Sequence, residues 1–395
     1  MINQDHKTVI LNGTIITPFQ YLQDRMVMIE KGKIVTITDR KEDLSILENV
    51  EVIEARDKYI VPGFIDIHVH GGGGADVMDG EYESIKKIAT THSQSGTTAF
   101  LPTTMTMSKE MIIKSLRSVN EAKIKGTGAA EILGVHLEGP YINPEKKGAQ
   151  REEDIEGCST EEFLAFNQAS GNLIRLVTIA PEMPGAIELI RWLHRQGMIV
   201  SAGHTNATYQ QMQETIHAGL THITHLFNAM RGLHHREPGV VGAALTEPGL
   251  TTEVIADGIH IHPIILKMIH QMKGAGKVIL VTDAMKATGL PEGIYDLGGQ
   301  EVMVKGEQAK LQDGTLAGSV LTMNKAVHNM VTKVGIPLTE ALQMASYSPA
   351  KLLDIADKKG TLEPDKDADI VILNKNFETE LTMVSGQVVF RRGEL

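Results

Sequence analysis

The chain has 395 residues, which is enough for one large α/β barrel with an appendage or for about two to three average domains. An apolar content of 42% is ample for a buried core. The excess of 49 acidic over 38 basic residues gives a net charge of -11, which argues against nucleic acid or an anionic membrane as the main partner. An anionic substrate would therefore need a local basic pocket.

The first residues and the cysteine content indicate the cellular compartment of the protein. The segment MINQDHKTVI lacks the basic and apolar regions of a signal peptide, and no apolar run approaches the roughly 18 residues of a membrane span. The single cysteine, Cys158, excludes an intramolecular disulfide and is typical of a reducing environment. We therefore expect a cytoplasmic protein that acts on a small molecule.

The two ends of the chain share a pattern that differs from the middle. Residues 1–58 and 360–395 contain short alternating strands with glycine-containing turns and no sustained helical period. Both ends are expected to form one composite β-sandwich domain. Residues 286–318 are predicted to form a hairpin inserted after the eighth strand of the middle part.

Between these ends, strand-like and helical patterns alternate. Eight apolar runs each end in polar residues: VPGFIDIHVH, GTTAFLPTT, ILGVHLEGP, IRLVTIAPE, MIVSAGHT, HITHLFN, EVIADGIH and KVILVTDAM. Helical spacing separates most of them, as in HPIILKMIHQMKG, where Ile265, Met268, Ile269 and Met272 form an apolar stripe and Gly274 ends it. The pattern predicts an α/β fold, a (β/α)8 TIM-like barrel over residues 59–359, with its chemistry at the carboxyl ends of the strands.

The first run ends in two histidines followed by four glycines. Alternate side chains of a strand share a face, so Asp66, His68 and His70 point one way in PGFIDIHVHGGGG. Imidazole is the commonest protein metal ligand, and two on one face could share an ion. The alternative is a half-buried strand whose histidines are merely hydrogen-bonded.

Four later strand ends carry further groups of this type. They are Glu138, His204, His225 and Asp283. Each has an ordinary explanation taken singly, such as a cap, a turn carboxylate or a bond to a backbone carbonyl. Together they indicate a metal site on one barrel rim, whereas His222 lies on the opposite strand face and is expected to be structural.

Several longer motifs identify a family. PGFIDIHVHG resembles the amidohydrolase superfamily, and HLEGPYINPEKKGAQ, SAGHTNAT, THLFNAMRGLHHREPG, ADGIHIHP, LVTDAM and LAGSVLTM resemble its amino-sugar phosphate deacetylases over nearly the whole length. The resemblance implies hydrolysis of the acetamide of N-acetylglucosamine 6-phosphate to glucosamine 6-phosphate and acetate. It places the enzyme in amino-sugar catabolism and cell-wall sugar recycling.

The resemblance also implies a divalent metal such as zinc or iron, which lowers the pKa of bound water from about 15.7 to about 7. Glu138, His204 and His225 would bind it. Asp283 would contact the metal and act as general acid/base toward a metal-bound hydroxide nucleophile. Some members hold one metal and lack the histidine pair, so the presence of His68 and His70 favours a second ion bridged by Glu138.

Substrate contacts follow from the resemblance as well. Arg236, in the basic loop RGLHHRE, would bind the phosphate of a substrate held by a homodimer, with His260 offered by a neighbouring subunit; the alternative is a solvated basic loop. Gln150 replaces a histidine of other members, which leaves open the group that polarises the acetamide oxygen. The remaining sugar contacts implied are Ala149, Gln150, Asn228, Ala229, Leu316, Ala317 and Gly318.

Two other functions remain open at this point. Cyclic-amide hydrolysis or nucleobase deamination on the same scaffold often uses a carboxylated lysine at the end of strand four, but strand four here ends IAPEMPG. A sugar-phosphate sensor without catalysis would have lost metal ligands or Asp283, and this chain retains them.

Overall fold

The computed structural model describes residues 7–39 and 50–393, so parts of the proposed terminal domain, 1–6, 40–49 and 394–395, lie outside the described residues. The described chain begins with short strands: β1 (Lys7–Leu11), β2 (Thr14–Ile16), β3 (Tyr21–Leu22), β4 (Arg25–Glu30), β5 (Lys33–Asp39), β6 (Val50–Glu54) and β7 (Tyr59–Pro62).

The middle of the chain contains all eight strands that the sequence predicted: β8 (Phe64–Val69), β11 (Thr97–Pro102), β13 (Val135–Glu138), β14 (Ile174–Ile179), β15 (Ile199–Ala202), β16 (His222–Ile223), β17 (Thr251–Ile255) and β18 (Val278–Val281). Short strands β9 (Gly71–Gly72), β10 (Ala75–Asp76) and β12 (Glu131–Ile132) lie between them. Every residue of β8 and of β18 is buried, as expected for parallel strands covered on both faces.

These strands form a curled parallel sheet. Strands β13 to β18 pair in chain order, and β8 pairs with β11 in a second sheet. Single parallel bridges join the two sheets at both ends, one from Thr103 to His136 and one from Val69 to Ala284. The carboxyl ends of the first and last strands are therefore neighbours, and the backbone N–H of Asp283 donates to the carbonyl of His68 at 2.9 Å.

Helices follow most of the parallel strands: α1 (Tyr82–Ser93), α2 (Lys109–Lys125), α3 (Thr160–Ala169), α4 (Ala186–Arg195), α5 (Tyr209–Ala218), α6 (Gly239–Thr246), α7 (Pro263–Lys273), α8 (Met323–Asn329), α9 (Leu338–Leu342) and α10 (Ser348–Leu352). Met330–Val334 and Gln343–Tyr347 are π-helical, and Val77–Asp79, Pro144–Lys146, Glu152–Asp154 and Ala275–Lys277 are 3₁₀ turns. None of the helices in the described ranges is long and apolar enough to span a bilayer.

Helix α7 shows how local signals set these boundaries. The side chain of His262 accepts the backbone N–H of Ile264, and Pro263 occupies the first turn, where its missing N–H costs nothing. Gly274 ends the helix with a positive φ of 71°. The helix is confirmed, but the predicted stripe is wrong at Met272, which is 51% exposed, because the inward face is centred on Leu266 and Ile269.

The segment after β18 forms a small antiparallel sheet of β19 (Gly293–Leu297), β20 (Gln300–Lys305) and β21 (Gln308–Lys310). The predicted hairpin is thus extended by a third strand. The turn between β19 and β20 is Gly298–Gly299, with φ of 59° and 81°, as a two-residue hairpin turn requires. Gln300 donates to the carbonyl of Ala149 at 2.5 Å, which fixes this sheet beside the loop after β13.

The chain closes with β22 (Ile370–Leu373), β23 (Thr379–Val384) and β24 (Gln387–Arg391). They join the amino-terminal strands in a six-stranded sheet of order β24-β23-β22-β7-β2-β3, and a four-stranded sheet has the order β5-β4-β1-β6. One apolar cluster, which includes Ile10, Val27, Ile60 and Ile370, contains side chains of both sheets. The two ends of the chain thus share one core.

A buried lysine links the terminal strands to the parallel strands. The ammonium of Lys359 lies 2.7 Å from Asp369, 3.1 Å from Asp367 and 3.0 Å from Glu131, the first residue of β12. Burial alone lowers the pKa of Lys359, but the charges of Asp369 and Glu131 outweigh burial and raise it. The lysine therefore remains charged within a set of three carboxylates.

We expect Lys359→Met to lower the free energy of unfolding by about 3 kcal/mol, because it leaves the buried carboxylate of Asp369 without a counter-charge. Lys325→Met is the matched control, since Lys325 pairs with Glu307 at 3.2 Å and both side chains are more than half exposed. That change should cost about 0–1 kcal/mol. Denaturant unfolding measures both, and equal losses would contradict a stabilising role for the Lys359 cluster.

Candidate metal centre and active site

The predicted ligand residues come together at the carboxyl ends of the parallel strands. They form two groups whose potential ligand atoms lie within 4.8 Å of one another. The first group is Glu138, His204 and His225, and the second group is His68, His70 and Asp283. All six residues are buried, and they come from β8, β13 and the ends of β15, β16 and β18.

Three of these residues lie just beyond their strands in a left-handed backbone conformation. The φ angles are 46° at His204, 28° at His225 and 50° at Asp283. Such angles are uncommon for residues other than glycine and cost roughly 1–3 kcal/mol each. The backbone turns sharply at each strand end, and the side chains point toward a common centre.

Glu138 lies between the two groups. Its Oε1 is 3.2 Å from Nε2 of both His204 and His225, and its Oε2 is 3.3 Å from Nε2 of His70. Asp283 Oδ1 is 3.2 Å from Nε2 of His70 and 3.5 Å from Nε2 of His68. One carboxylate thus reaches both groups, and its Oε1 also lies 3.5 Å from Nε2 of His68.

The histidine rings are oriented by contacts on their far side. Nδ1 of His70 lies 3.2 Å from the carbonyl of Thr103, and Nδ1 of His204 lies 2.9 Å from the carbonyl of Lys146. A carbonyl only accepts hydrogen bonds, so these Nδ1 atoms carry a proton, and each Nε2 can offer a lone pair to a metal ion that displaces any second proton. His68 is oriented in the same way by a carboxylate, that of Glu253, at 2.9 Å.

This donor set fits a divalent metal. Nε2 atoms lie 3.2 Å apart in the pair His68 and His70, and 3.1 Å apart in the pair His204 and His225. Two lone pairs at that distance repel unless a proton or a cation lies between them. Neutral imidazole and carboxylate are ligands of zinc and of other transition metals.

The charges of the centre are strongly coupled. Burial alone raises the pKa of Glu138, but the charges of His68 and His204 outweigh burial and hold it well below its usual value. Burial lowers the pKa of His70, yet its hydrogen bonds to Asp283 and Glu138 raise it to about 9. The centre therefore attracts cations.

His136 completes a third group, with His68 and Glu253, that has the spacing of a metal site. Its Nδ1 lies 3.2 Å from the carbonyl of Ile67, and its Nε2 lies 2.7 Å from the hydroxyl of Thr178. Both ring nitrogens are engaged, and burial lowers the pKa of His136 to about 3. This group is accounted for by hydrogen bonds.

The sequence did not indicate Glu253 as a site residue. It indicated Gln150, but not the groups that Gln150 contacts. Glu253 is fully buried in β17 beneath the centre. The available signal for Glu253 was a single carboxylate inside the apolar run TTEVIA. This residue lies before the end of its strand, whereas the predicted site residues were sought at strand ends. Gln150 donates to Glu138 Oε2 at 2.9 Å and accepts the backbone N–H of Thr106 at 2.6 Å.

A cavity of ≈ 290 Å³ opens beside the centre. His260 lines the cavity of its own chain, and Asp257 holds its Nδ1 at 2.6 Å. Leu297 contributes from β19, so the small antiparallel sheet forms part of the wall. The other predicted residues that line the cavity are His70, Glu138, Ala149, Gln150, His204, His225, Asn228, Ala229, Asp283, Leu316 and Gly318.

Some predicted residues do not line this cavity. Ala317 and His68 are buried behind it. Arg236 is exposed on its loop, where its guanidinium lies 2.8 Å from Nε2 of His235. His222 stays outside the two ligand groups and contacts Glu253 at 3.2 Å, in agreement with its structural interpretation.

Comparison with known proteins identifies the family of this chain. The sequence profile of the amidohydrolase family matches residues 59–389. The chain belongs to the amidohydrolase family. An N-acetylglucosamine-6-phosphate deacetylase of Bacillus subtilis is 42% identical over 97% of this chain and 97% of its own. The crystal structure of such a deacetylase from Pasteurella multocida matches with a TM-score of 0.91 and 33% identity, covering 97% of this chain and 99% of that one.

A relative named for a different substrate is nearly as similar. An N-acetylgalactosamine-6-phosphate deacetylase of Escherichia coli O157:H7 is 37% identical over 95% of this amidohydrolase and 97% of its own length. The chain groups with deacetylases of amino-sugar phosphates and is a hydrolase. Its family has a TIM-like barrel fold and generally uses divalent metals.

The two groups lead to a prediction about metal content. We expect this amidohydrolase, purified without chelators and oxygen, to contain close to two ions per chain by elemental analysis. Replacing both His68 and His70 by Asn should remove about one ion, because the first group keeps its three ligands. A variant that retained the wild-type metal content would exclude the second group as a site.

Proposed function

We propose that this amidohydrolase is a metal-dependent deacetylase that converts N-acetylglucosamine 6-phosphate into glucosamine 6-phosphate and acetate. The observation that best supports this function is the pair of ligand groups bridged by Glu138 beside a cavity of ≈ 290 Å³. The names of the relatives support an acetylated amino-sugar phosphate as the substrate. The reaction belongs to amino-sugar catabolism and supports recycling of cell-wall sugars.

The two groups would hold one or two divalent ions, with Glu138 between them. A bound ion, zinc or iron, activates water near neutral pH and stabilises negative charge on oxygen. Gln150 supports Glu138 in this scheme, because both polar atoms of its amide are already engaged by Glu138 and Thr106. It is therefore a weaker candidate for polarising the acetamide oxygen.

Asp283 acts as the general acid and base. Its carboxylate reaches the cavity, and burial, which raises its pKa, is outweighed by the charge of His68 and the hydrogen bond of His70, so the pKa is lowered. The ionised group takes a proton from the attacking water and delivers it to the departing amine. That delivery is needed because an amine anion is a poor leaving group.

Sugar recognition is assigned to residues around the cavity. Asn228 and Ala229 follow the β16 end, Leu316 and Gly318 follow the small antiparallel sheet, and His260 faces the cavity with its Nδ1 bound to Asp257. The phosphate is assigned to Arg236. Arg236 lies outside the cavity of its own chain, and in the homodimer that the resemblance implies the loop of one chain would reach the site of the other.

The architecture in this proposal is a closed (β/α)8 barrel over residues 59–359 with a composite β-sandwich of residues 1–58 and 360–395. The bridges at both edges of the parallel sheets support closure. Strand β7 (Tyr59–Pro62) lies in the terminal six-stranded sheet, so the boundary predicted between residues 58 and 59 moves to near Gly63. The single cysteine supports a cytoplasmic enzyme.

Acetate release tests the proposal directly. The enzyme is stripped of metal by a chelator, reloaded with zinc or iron, and supplied with N-acetylglucosamine 6-phosphate, its 4-epimer N-acetylgalactosamine 6-phosphate, or unphosphorylated N-acetylglucosamine. We expect activity that is lost on chelation, restored by metal and highest for the first substrate. Preference for the 4-epimer would favour the activity of the Escherichia coli relative instead.

Asp283→Asn should separate proton transfer from binding. Asn has nearly the same shape but cannot take a proton, so we expect kcat to fall at least about a hundredfold. The variant should keep the wild-type Tm and still bind N-acetylglucosamine 6-phosphate by calorimetry. Metal content is measured in the same sample, and a kcat close to wild type with metal retained would remove Asp283 from the mechanism.

Arg236→Ala should lower kcat/KM for N-acetylglucosamine 6-phosphate about ten- to hundredfold, because it removes a charge-assisted contact that contributes roughly 1.5–3 kcal/mol. The unphosphorylated sugar is the control and should change little. Equal losses for both sugars would show that Arg236 acts through structure and does not bind the phosphate.

A further inference from the structure

Glu253 lies beneath the metal centre, and one of its two carboxylate oxygens contacts residues of that centre. It is fully buried in β17, and its Oε2 faces the two ligand groups. Nδ1 of His68, from the second group, lies 2.9 Å from Oε2. The backbone N–H of His225, from the first group, donates to the same oxygen at 3.1 Å.

Each of these contacts has a consequence for a ligand. The bond to His68 keeps the proton on Nδ1 and directs the Nε2 lone pair into the second group. The bond to His225 stabilises a backbone whose φ of 28° is uncommon for a residue with a side chain. One oxygen atom therefore orients a ring of one group and holds the strand end of the other.

The second oxygen of Glu253 points away from the centre. Its Oε1 lies 3.2 Å from Nε2 of His222, and Nδ1 of His222 lies 2.7 Å from the hydroxyl of Thr251. The carboxylate is thus supplied with hydrogen-bond donors on both oxygens. Burial alone raises the pKa of Glu253, but the charge of His68 and the hydrogen bond of His222 hold it well below its usual value.

We propose that Glu253 is a positioning residue that couples the two ligand groups, so that its loss weakens both metal sites at once. This inference rests on the proposed metal centre. A ligand substitution acts differently, because His68 serves the second group alone. Loss of a carboxylate that supports a metal-bound histidine typically costs about 10- to 100-fold in metal affinity.

The experiment measures zinc binding to metal-free protein by competition with a chromophoric chelator, with elemental analysis of the loaded product. Glu253→Gln keeps the size of the side chain and removes its charge, and we expect about tenfold weaker binding of both ions. Glu253→Ala also removes the acceptor atoms, so its effect should be larger, up to about a hundredfold. If Glu253→Ala does not fold, the zinc affinity of Glu253→Gln decides whether the proposal stands.

Two further variants give the contrast. His68→Asn should lose one ion and bind the other with wild-type affinity. Thr251→Val is the matched control, since Thr251 lies two residues away on the same strand and contacts His222 but no ligand. We expect it to bind both ions like wild type. The Tm of each metal-free variant is recorded, because a purely structural role lowers that Tm without changing ion affinity.

The possible failures are distinguishable. Wild-type protein that binds no zinc would overturn the proposed metal centre itself. Wild-type protein that binds one ion would leave that centre standing but overturn the coupling. The coupling also fails if the Glu253 variants bind both ions normally, if they lose one ion only, or if Thr251→Val weakens binding as much as they do.

Discussion

Glu138 carries a negative charge in a part of the protein that excludes water, and the organisation of the site depends on how that charge is compensated. An isolated buried carboxylate would become protonated, because burial disfavours the ionised form. Here three histidine nitrogens lie within about 3.3 Å of its two oxygens, and Gln150 donates to one of them. The compensation comes from strands that are distant in sequence, so it exists only when the parallel strands are assembled.

The supporting contacts of the ligands show the same dependence. Glu253, the carbonyl of Thr103 and the carbonyl of Lys146 each bind the far nitrogen of a histidine ring. Without these acceptors, each ring could adopt either tautomer and rotate. The sharp backbone turns at the strand ends add a second constraint, because they direct the side chains inward. The packing around these turns compensates for their energetic cost.

The cavity beside the centre is poor in basic side chains. Among the described residues that line it, histidines are present but neither lysine nor arginine. His260 lines this cavity within one chain, whereas Arg236 lies on an exposed loop. This separation explains why catalysis and phosphate recognition are proposed to depend on different parts of the assembly. The small antiparallel sheet, fixed through Gln300, limits the cavity on another side.

The sequence by itself determined the alternating strands and helices, the shared pattern of the two chain ends, and the residues that come together at the centre, because histidines and carboxylates at strand ends have a local signature. It could not determine which groups each of these residues faces, since the distances depend on pairing between strands that are far apart in sequence. His68 meets Asp283 because the first and last parallel strands are neighbours. The role of Glu253 was hidden for the same reason: its partners, His68 and His225, lie on other strands, and only the curled sheet brings them to one oxygen atom.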